Sequence, residues 1–170
     1  MTPYLTPCQR LLFSAFLCLL AHSASAQDNP TDAEPVPRWY VQGGTFIHYD
    51  EDDPDYDGSR IFVGVEYFRS RKWSYGFSMF DNSFGQFSQY AYAARSFHPF
   101  KSQPNVHIKI TAGVVHGYDE PHHDTLPVRW GDSWGLGAIP TIGYKSERFG
   151  MDVAFLKASG VLFLAGYSFD

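Results

Sequence analysis

The sequence predicts an all-β fold, an eight-stranded antiparallel transmembrane β-barrel of the outer-membrane type. Three observations carry that expectation. Aromatic residues make up 18% of the chain, with 11 Tyr and 15 Phe, and charged residues are only 18%, against about 25% in an ordinary soluble domain. After Arg38 the chain offers no helical periodicity but a series of short segments in which apolar residues alternate with small or polar ones, the pattern of a strand with two different faces. The links between these segments include both short basic turns and longer loops, as in barrels whose two rims face different compartments.

Composition narrows the function classes. The 170 residues suit one domain, and 18 acidic against 13 basic side chains give a net charge of −5, which argues against a nucleic-acid partner. A chain so rich in rings is not intrinsically disordered, and its slightly negative mean hydropathy excludes a bundle of membrane helices.

Residues 1–26 read as a signal peptide. Arg10 precedes an apolar core from Leu11 to Leu20, and Ala24-Ser25-Ala26 offers a small-x-small cleavage site before Gln27. The apolar run is too short to span a bilayer as a helix. Both cysteines, Cys8 and Cys18, fall within this segment, so disulfides, thiolate metal sites and Cys nucleophiles are not expected. Residues 27–37, with Pro30, Pro35 and Pro37, form an irregular lead-in. Residues 38–170 are then the barrel.

Eight strands are expected, at about 38–49, 59–68, 73–80, 88–97, 106–117, 136–144, 149–157 and 160–169. The fifth is the clearest: Val106, Ile108, Ile110, Ala112 and Val114 alternate with His107, Lys109, Thr111, Gly113 and Val115. Trp73, Tyr75, Phe77, Met79, Tyr90 and Tyr92 are expected outside, facing lipid. Gly64, Gly76, Ala91, Ala93, Gly113, Ala154, Leu162, Leu164 and Gly166 are expected inside. That interior is compatible with an apolar slot for a hydrocarbon chain and equally with a tight core. Arg69-Ser70-Arg71-Lys72 and Lys145-Ser146-Glu147-Arg148 are the short inner turns, and Tyr167-Ser168-Phe169-Asp170 is close to the aromatic-x-Phe terminus of such barrels. A soluble eight-stranded barrel or sandwich is the bland alternative, but its exposed rings would form an aggregation-prone patch.

Candidate chemistry gathers at the outer rim. His48 closes the first strand, and Asn82-Ser83 follows the third, which runs in the same direction. An imidazole, a hydroxyl and a side-chain carbonyl are what acyl transfer uses to activate a nucleophile or acceptor, shuttle its proton and orient the shuttle. Asp50, Glu51, Asp52, Asp53, Asp55 and Asp57 form an acidic run in the first outer loop. Its calcium-loop likeness fails at the twelfth position, Gly64, so a solvated loop or contact with divalent ions on lipopolysaccharide is expected. His122-His123-Asp124 with His116 is a poor metal cluster, because adjacent histidines seldom face one ion. No metal and no cofactor are expected. Arg129 and Trp130 suit contact with a lipid headgroup, or simple loop packing; His98 and His107 near the inner rim are expected to be structural.

The stretch Tyr75-Gly76-Phe77-Ser78-Met79-Phe80-Asp81-Asn82-Ser83-Phe84-Gly85-Gln86 resembles the core motif of the PagP-type lipid A palmitoyltransferases, an aromatic residue followed by x-Asp-Ser-aromatic. Thr111-Ala112-Gly113-Val114 is similar to the family's central strand, and Ile139-Pro140-Thr141-Ile142-Gly143-Tyr144 to its Pro-containing strand. Phe46-Ile47-His48-Tyr49 followed by Asn82-Ser83-Phe84-Gly85-Gln86 resembles a divergent branch of small outer-membrane proteins. The resemblance covers about residues 38–169. It implies a cell-outer-membrane barrel that moves a palmitoyl or similar chain from a glycerophospholipid to lipid A. Ser83 matches the family Ser, and Asn82 stands where the family has Asp, with Asp81 one residue earlier as a substitute. The family His aligns near Gly44, and His48 shares that strand end and face. The leading amphipathic helix of better-known members is missing.

The expectation is therefore catalysis by His48, Asn82 and Ser83, with Asp81, Ala91, Ala93, Arg129 and Trp130 contacting substrate. Ala91 and Ala93 would limit the depth available to the chain, and Pro127 and Pro140 would weaken the strand ladder where the donor enters. The expected partners are membrane lipids, a glycerophospholipid donor and a lipid A acceptor, with the protein acting as a monomer. Two rivals remain: a lipid A deacylase or esterase with water as acceptor, and a non-catalytic barrel serving as pore, transporter or structural protein.

Overall fold

A strand that must present one face to lipid and one to a lumen satisfies its backbone only by pairing on both edges, which favours closure. The computed structural model describes residues 39–49, 61–119, 126, 128–156 and 160–170. The signal peptide, the lead-in, the acidic run from Asp50 to Asp57, His122-His123-Asp124 and Pro127 lie outside the described residues.

The strands are β1 (Trp39–His48), β2 (Ile61–Phe68), β3 (Trp73–Asp81), β4 (Phe87–Phe97), β5 (Val106–His116), β6 (Val128–Trp130), β7 (Trp134–Lys145), β8 (Phe149–Phe155) and β9 (Gly160–Phe169). Eight of them close into an antiparallel barrel. β5 pairs with β7 from Val106↔Tyr144 to His116↔Trp134, and β1 joins β9 from Trp39↔Phe169 to His48↔Gly160. All eight expected strands are present. The short β6, within a stretch expected to be irregular, folds back on Trp134–Leu136 through a turn at Gly131 and takes no place in the ring. The strand ends of β1, β3, β5 and β8 share the rim expected to face outward, the outer rim; the short turns 69–72 and 146–148 lie at the opposite, inner rim.

Outside, the wall is apolar: Val41, Val63, Phe77, Ile110, Ile142 and Phe163 are all exposed. Inside, the side chains form two tiers, with a cavity of about 490 Å³ at the inner end. The outer tier packs Phe46, Phe62, Ala154, Leu162 and Leu164 with Phe80, Ile139 and Leu156. The inner tier is charged. Lys109 Nζ reaches Glu66 Oε1 at 3.1 Å and Asp152 Oδ2 at 3.3 Å, and His107 Nε2 lies 2.8 Å from Asp152 Oδ1. Tyr92 donates to Glu66 at 2.9 Å and accepts from Gln42 Nε2 at 3.1 Å. Glu66 is 0% exposed and Lys109 4%, so each buried charge depends on its partner.

Strand β4 sits the other way round from the sequence expectation. Tyr90 and Tyr92 are buried in the lumen, while Ala91 and Ala93 point outward, so the two alanines do not line the interior. The reason is volume. A Cβ on Gly76 of β3 would collide with the Tyr92 ring, and Tyr90 lies against Gly137 of β7. Neighbouring strands leave room for two rings, and the rings fill it.

Candidate functional site

The outer rim is built from three strand ends. β1 pairs with β2 as far as Thr45↔Ile61 and with β9 as far as His48↔Gly160, so the inward-facing His48 at its last residue is held by the β9 ladder. Opposite it stands Gly160 of β9, where a Cβ would strike the backbone of Ile47 and His48; the glycine lets the two strands meet closely beside the imidazole. Ser83 comes from the five-residue connection between β3 and β4. His48 Nε2 and Ser83 Oγ are 3.1 Å apart, a hydrogen bond joining residues 35 positions apart in sequence. The imidazole is 8% exposed and Ser83 is partly exposed.

Asn82 is central to this site in a different way from the sequence expectation. Its Oδ1 accepts from the backbone N–H of Phe84 and of Gln86, each at 3.0 Å. Its Nδ2 donates to Gln86 Oε1 at 3.1 Å and to the Gly117 carbonyl at 3.2 Å. An amide side chain offers two donors and a two-lone-pair acceptor, so these four bonds fill its capacity. Asn82 fixes the turn that carries Ser83 and ties it to the end of β5; it does not orient His48. Gly85, at φ 74°, completes the turn in a conformation natural to glycine.

Asp81 ends β3 on the outward face, following inward Ser74, Gly76, Ser78 and Phe80, so it does not substitute for Asn82 behind the imidazole. Arg129 and Trp130 are exposed on β6. The rim is braced elsewhere by Ser133 Oγ donating to Asp119 Oδ1, by Gln86 Nε2 donating to the Asp119 carbonyl at 3.3 Å, and by His116 against Trp134 with centroids 4.4 Å apart. Burial pushes the phenol of Tyr118, in the same rim, up to about 12, so it keeps its proton at neutral pH. The structure thus brings His48 and Ser83 together, gives Asn82 a supporting part, and leaves Asp81, Ala91 and Ala93 outside the lumen.

No protein-family model matches the chain. No curated protein matches it either. Among solved structures, the fold is similar to the N-terminal β-barrel domain of Pseudomonas aeruginosa OprF. That likeness has a TM-score of 0.46 and 12% sequence identity, over 80% of this chain and 100% of that one.

β8 is the shortest strand of the ring and ends at Phe155. β7 and β8 pair only from Thr141↔Ala154 to Lys145↔Gly150. Outward of that point Pro140 brings no N–H to a ladder, and β7 turns to β6 at Trp134–Leu136 instead. Beside this parting lies an external apolar groove of about 420 Å³, bordered by Gly43, Thr45, Ile142, Val153, Phe163 and Ala165.

The inner-tier charges escaped sequence reasoning. Their signal was Glu66, Lys109 and Asp152 standing singly in otherwise apolar strands, where a charge away from the rims is met by the lumen rather than by lipid.

Proposed function

We propose that this barrel lies in the outer membrane and catalyses acyl transfer from a glycerophospholipid to lipid A, with Ser83 as nucleophile and His48 as general base. The observation that carries the reading is the His48–Ser83 hydrogen bond at 3.1 Å, within the reach of proton transfer. His48 Nε2 takes the Ser83 proton as Oγ attacks the ester carbonyl. The acyl–glycerol C–O bond breaks, and the proton passes from His48 to the departing glycerol oxygen. A lipid A hydroxyl then attacks the acyl-Ser83 carbonyl, losing its proton to His48, which returns it to Ser83. The likeness of residues 75–86 to the PagP-type motif supports the choice of substrates, and the outer rim is the side on which lipid A lies. The parting between β7 and β8, flanked by the apolar groove, supports sideways entry of the donor chain towards Leu156 and Ile139.

The filled outer tier favours a second reading in one respect. Phe46, Phe62 and Phe80 occupy the space beneath His48, so a chain held outside the lumen and released to water, as in a lipid A deacylase, uses the same pair without displacing them. Mass analysis of lipid A, with and without the protein, separates these readings: one added acyl chain is expected. One lost chain favours hydrolysis. An unchanged profile with correctly inserted protein removes both and leaves a non-catalytic barrel.

A further inference from the structure

A second cluster lies on the lipid-facing wall near the inner rim. Between Tyr67 and Tyr118 the sequence has one carboxylate, Asp81, and it ends β3 at the outer rim. The inner end of the same sector carries Arg69, Arg71, Lys72, Arg95 and Lys101. Of these, Arg95 is set into the wall itself. Its neighbours Ala94 and Ser96 are buried towards the lumen while Arg95 is half-buried on the outer face. The guanidinium lies 4.9 Å from the centroid of Trp73 and 5.6 Å from that of Phe97, the residues that open β3 and close β4 at the inner rim. Rings covering a guanidinium hold it by cation–π attraction and leave its planar edge donors to serve an oxyanion.

The wall above this clamp is shallow. Ala93, Ala112 and Ala138 stand side by side across β4, β5 and β7, all on the outer face, with Tyr75 beside Ala93. Ala91 occupies the next row on β4. A phosphate at Arg95 therefore has its acyl chains directed along a trough of alanines.

We infer that Arg95, Trp73, Phe97 and the alanine trough form a binding site for an anionic glycerophospholipid in the leaflet that meets the short-turn rim. The phosphate accepts from the Arg95 guanidinium, and the surplus of cations in the sector disfavours a headgroup carrying its own ammonium. This inference uses only the membrane location of the barrel and is independent of the Ser83 chemistry.

The test is native mass spectrometry of the full processed chain released from nanodiscs of phosphatidylcholine with a minor fraction of phosphatidylglycerol. Retained phosphatidylglycerol is expected to exceed its share by about five-fold, the effect of one basic residue at an anionic surface. Arg95→Gln is expected to bring retention down to the bulk ratio. Arg95→Lys, which keeps the charge but loses the planar fork, should fall between. Asp81→Asn at the other rim should leave the ratio unchanged. Heat-dependent gel mobility checks insertion, and Arg95→Lys carries the comparison if Arg95→Gln does not insert. Equal retention of the two lipids by the wild-type barrel, or a wild-type ratio in the Arg95 variants, overturns the site. His48→Ala is expected to keep the enrichment, so loss of acyl transfer and loss of this site register separately.

Discussion

At the scale of single residues, the His48–Ser83 pair depends on a turn that neither residue makes. Asn82 holds four hydrogen bonds, and the short span of the connection makes the position of Ser83 a consequence of them. Removing the Ser83 hydroxyl or the His48 imidazole with Ala is expected to lower acyl transfer by about 1,000-fold or more, measured as radiolabelled chain moved between lipids in a reconstituted membrane. Unchanged turnover in inserted protein would remove both residues from the chemistry. Asn82 makes a sharper test of role. Asn82→Asp keeps the oxygen that accepts both backbone N–H bonds but loses the two donors, and sets a negative charge against the Gly117 carbonyl and Gln86 Oε1. Activity is expected to fall, by on the order of 100-fold for a displacement of about 1 Å at the nucleophile. A rise in activity would instead make residue 82 an ionic support of the imidazole.

At the scale of elements, two strands behave in ways their own sequences do not announce. β4 turns its tyrosines inward because Gly76 and Gly137 leave the volume for them. Gly76→Ala is therefore expected to push Tyr92 away from Glu66, stranding a buried carboxylate from one donor at a cost of about 1–3 kcal/mol. Denaturant titration of the reconstituted barrel reads that loss, and a midpoint equal to wild type would show that the ring has other room. β7 loses its β8 partner outward of Thr141. Pro140→Val returns an N–H and a β-branched side chain to the strand. If the donor chain enters between β7 and β8, this variant is expected to be as stable as wild type or more so, yet to turn over donor several-fold more slowly. Faster turnover would place the entry elsewhere.

For the whole molecule, the lumen divides along the barrel axis into two unlike tiers. An apolar tier packs beneath His48, and the Glu66–Lys109–Asp152 bridge crosses the inner half, where Lys109 and Asp152 line a cavity of about 490 Å³ shared with Arg71, Asn105 and Ser146 of the inner rim. Such a bridge gives little net stability while intact, because desolvation offsets its attraction, but removing one partner leaves the others buried with a charge that Tyr92 and His107 meet only in part. Lys109→Met is expected to destabilise the folded barrel by about 3–5 kcal/mol. The triple change Glu66→Gln, Lys109→Met, Asp152→Asn should recover most of that loss. Both comparisons are read from the fraction of heat-resistant barrel on gels after denaturant exposure; equal stability of Lys109→Met and wild type would mean that water reaches the carboxylates.

The repeating unit and the count are legible in the chain alone: eight alternating segments, their boundaries to within a few residues, and the basic turns at one rim. These are local properties, written in a period of two and in turn residues. It also offered His48 and Ser83 as partners, since strands one and three run in the same direction. Tertiary structure decided the rest. A period of two has two phases, and which phase faces the lumen depends on the volumes that adjacent strands leave; β4 was misread for that reason, and Ala91 and Ala93 with it. The saturation of Asn82 depends on Gly117, 35 residues away, and the charged bridge on residues 43 apart. Closure alone sets such pairs within reach, because the register between strands is a property of the ring and not of any segment in it.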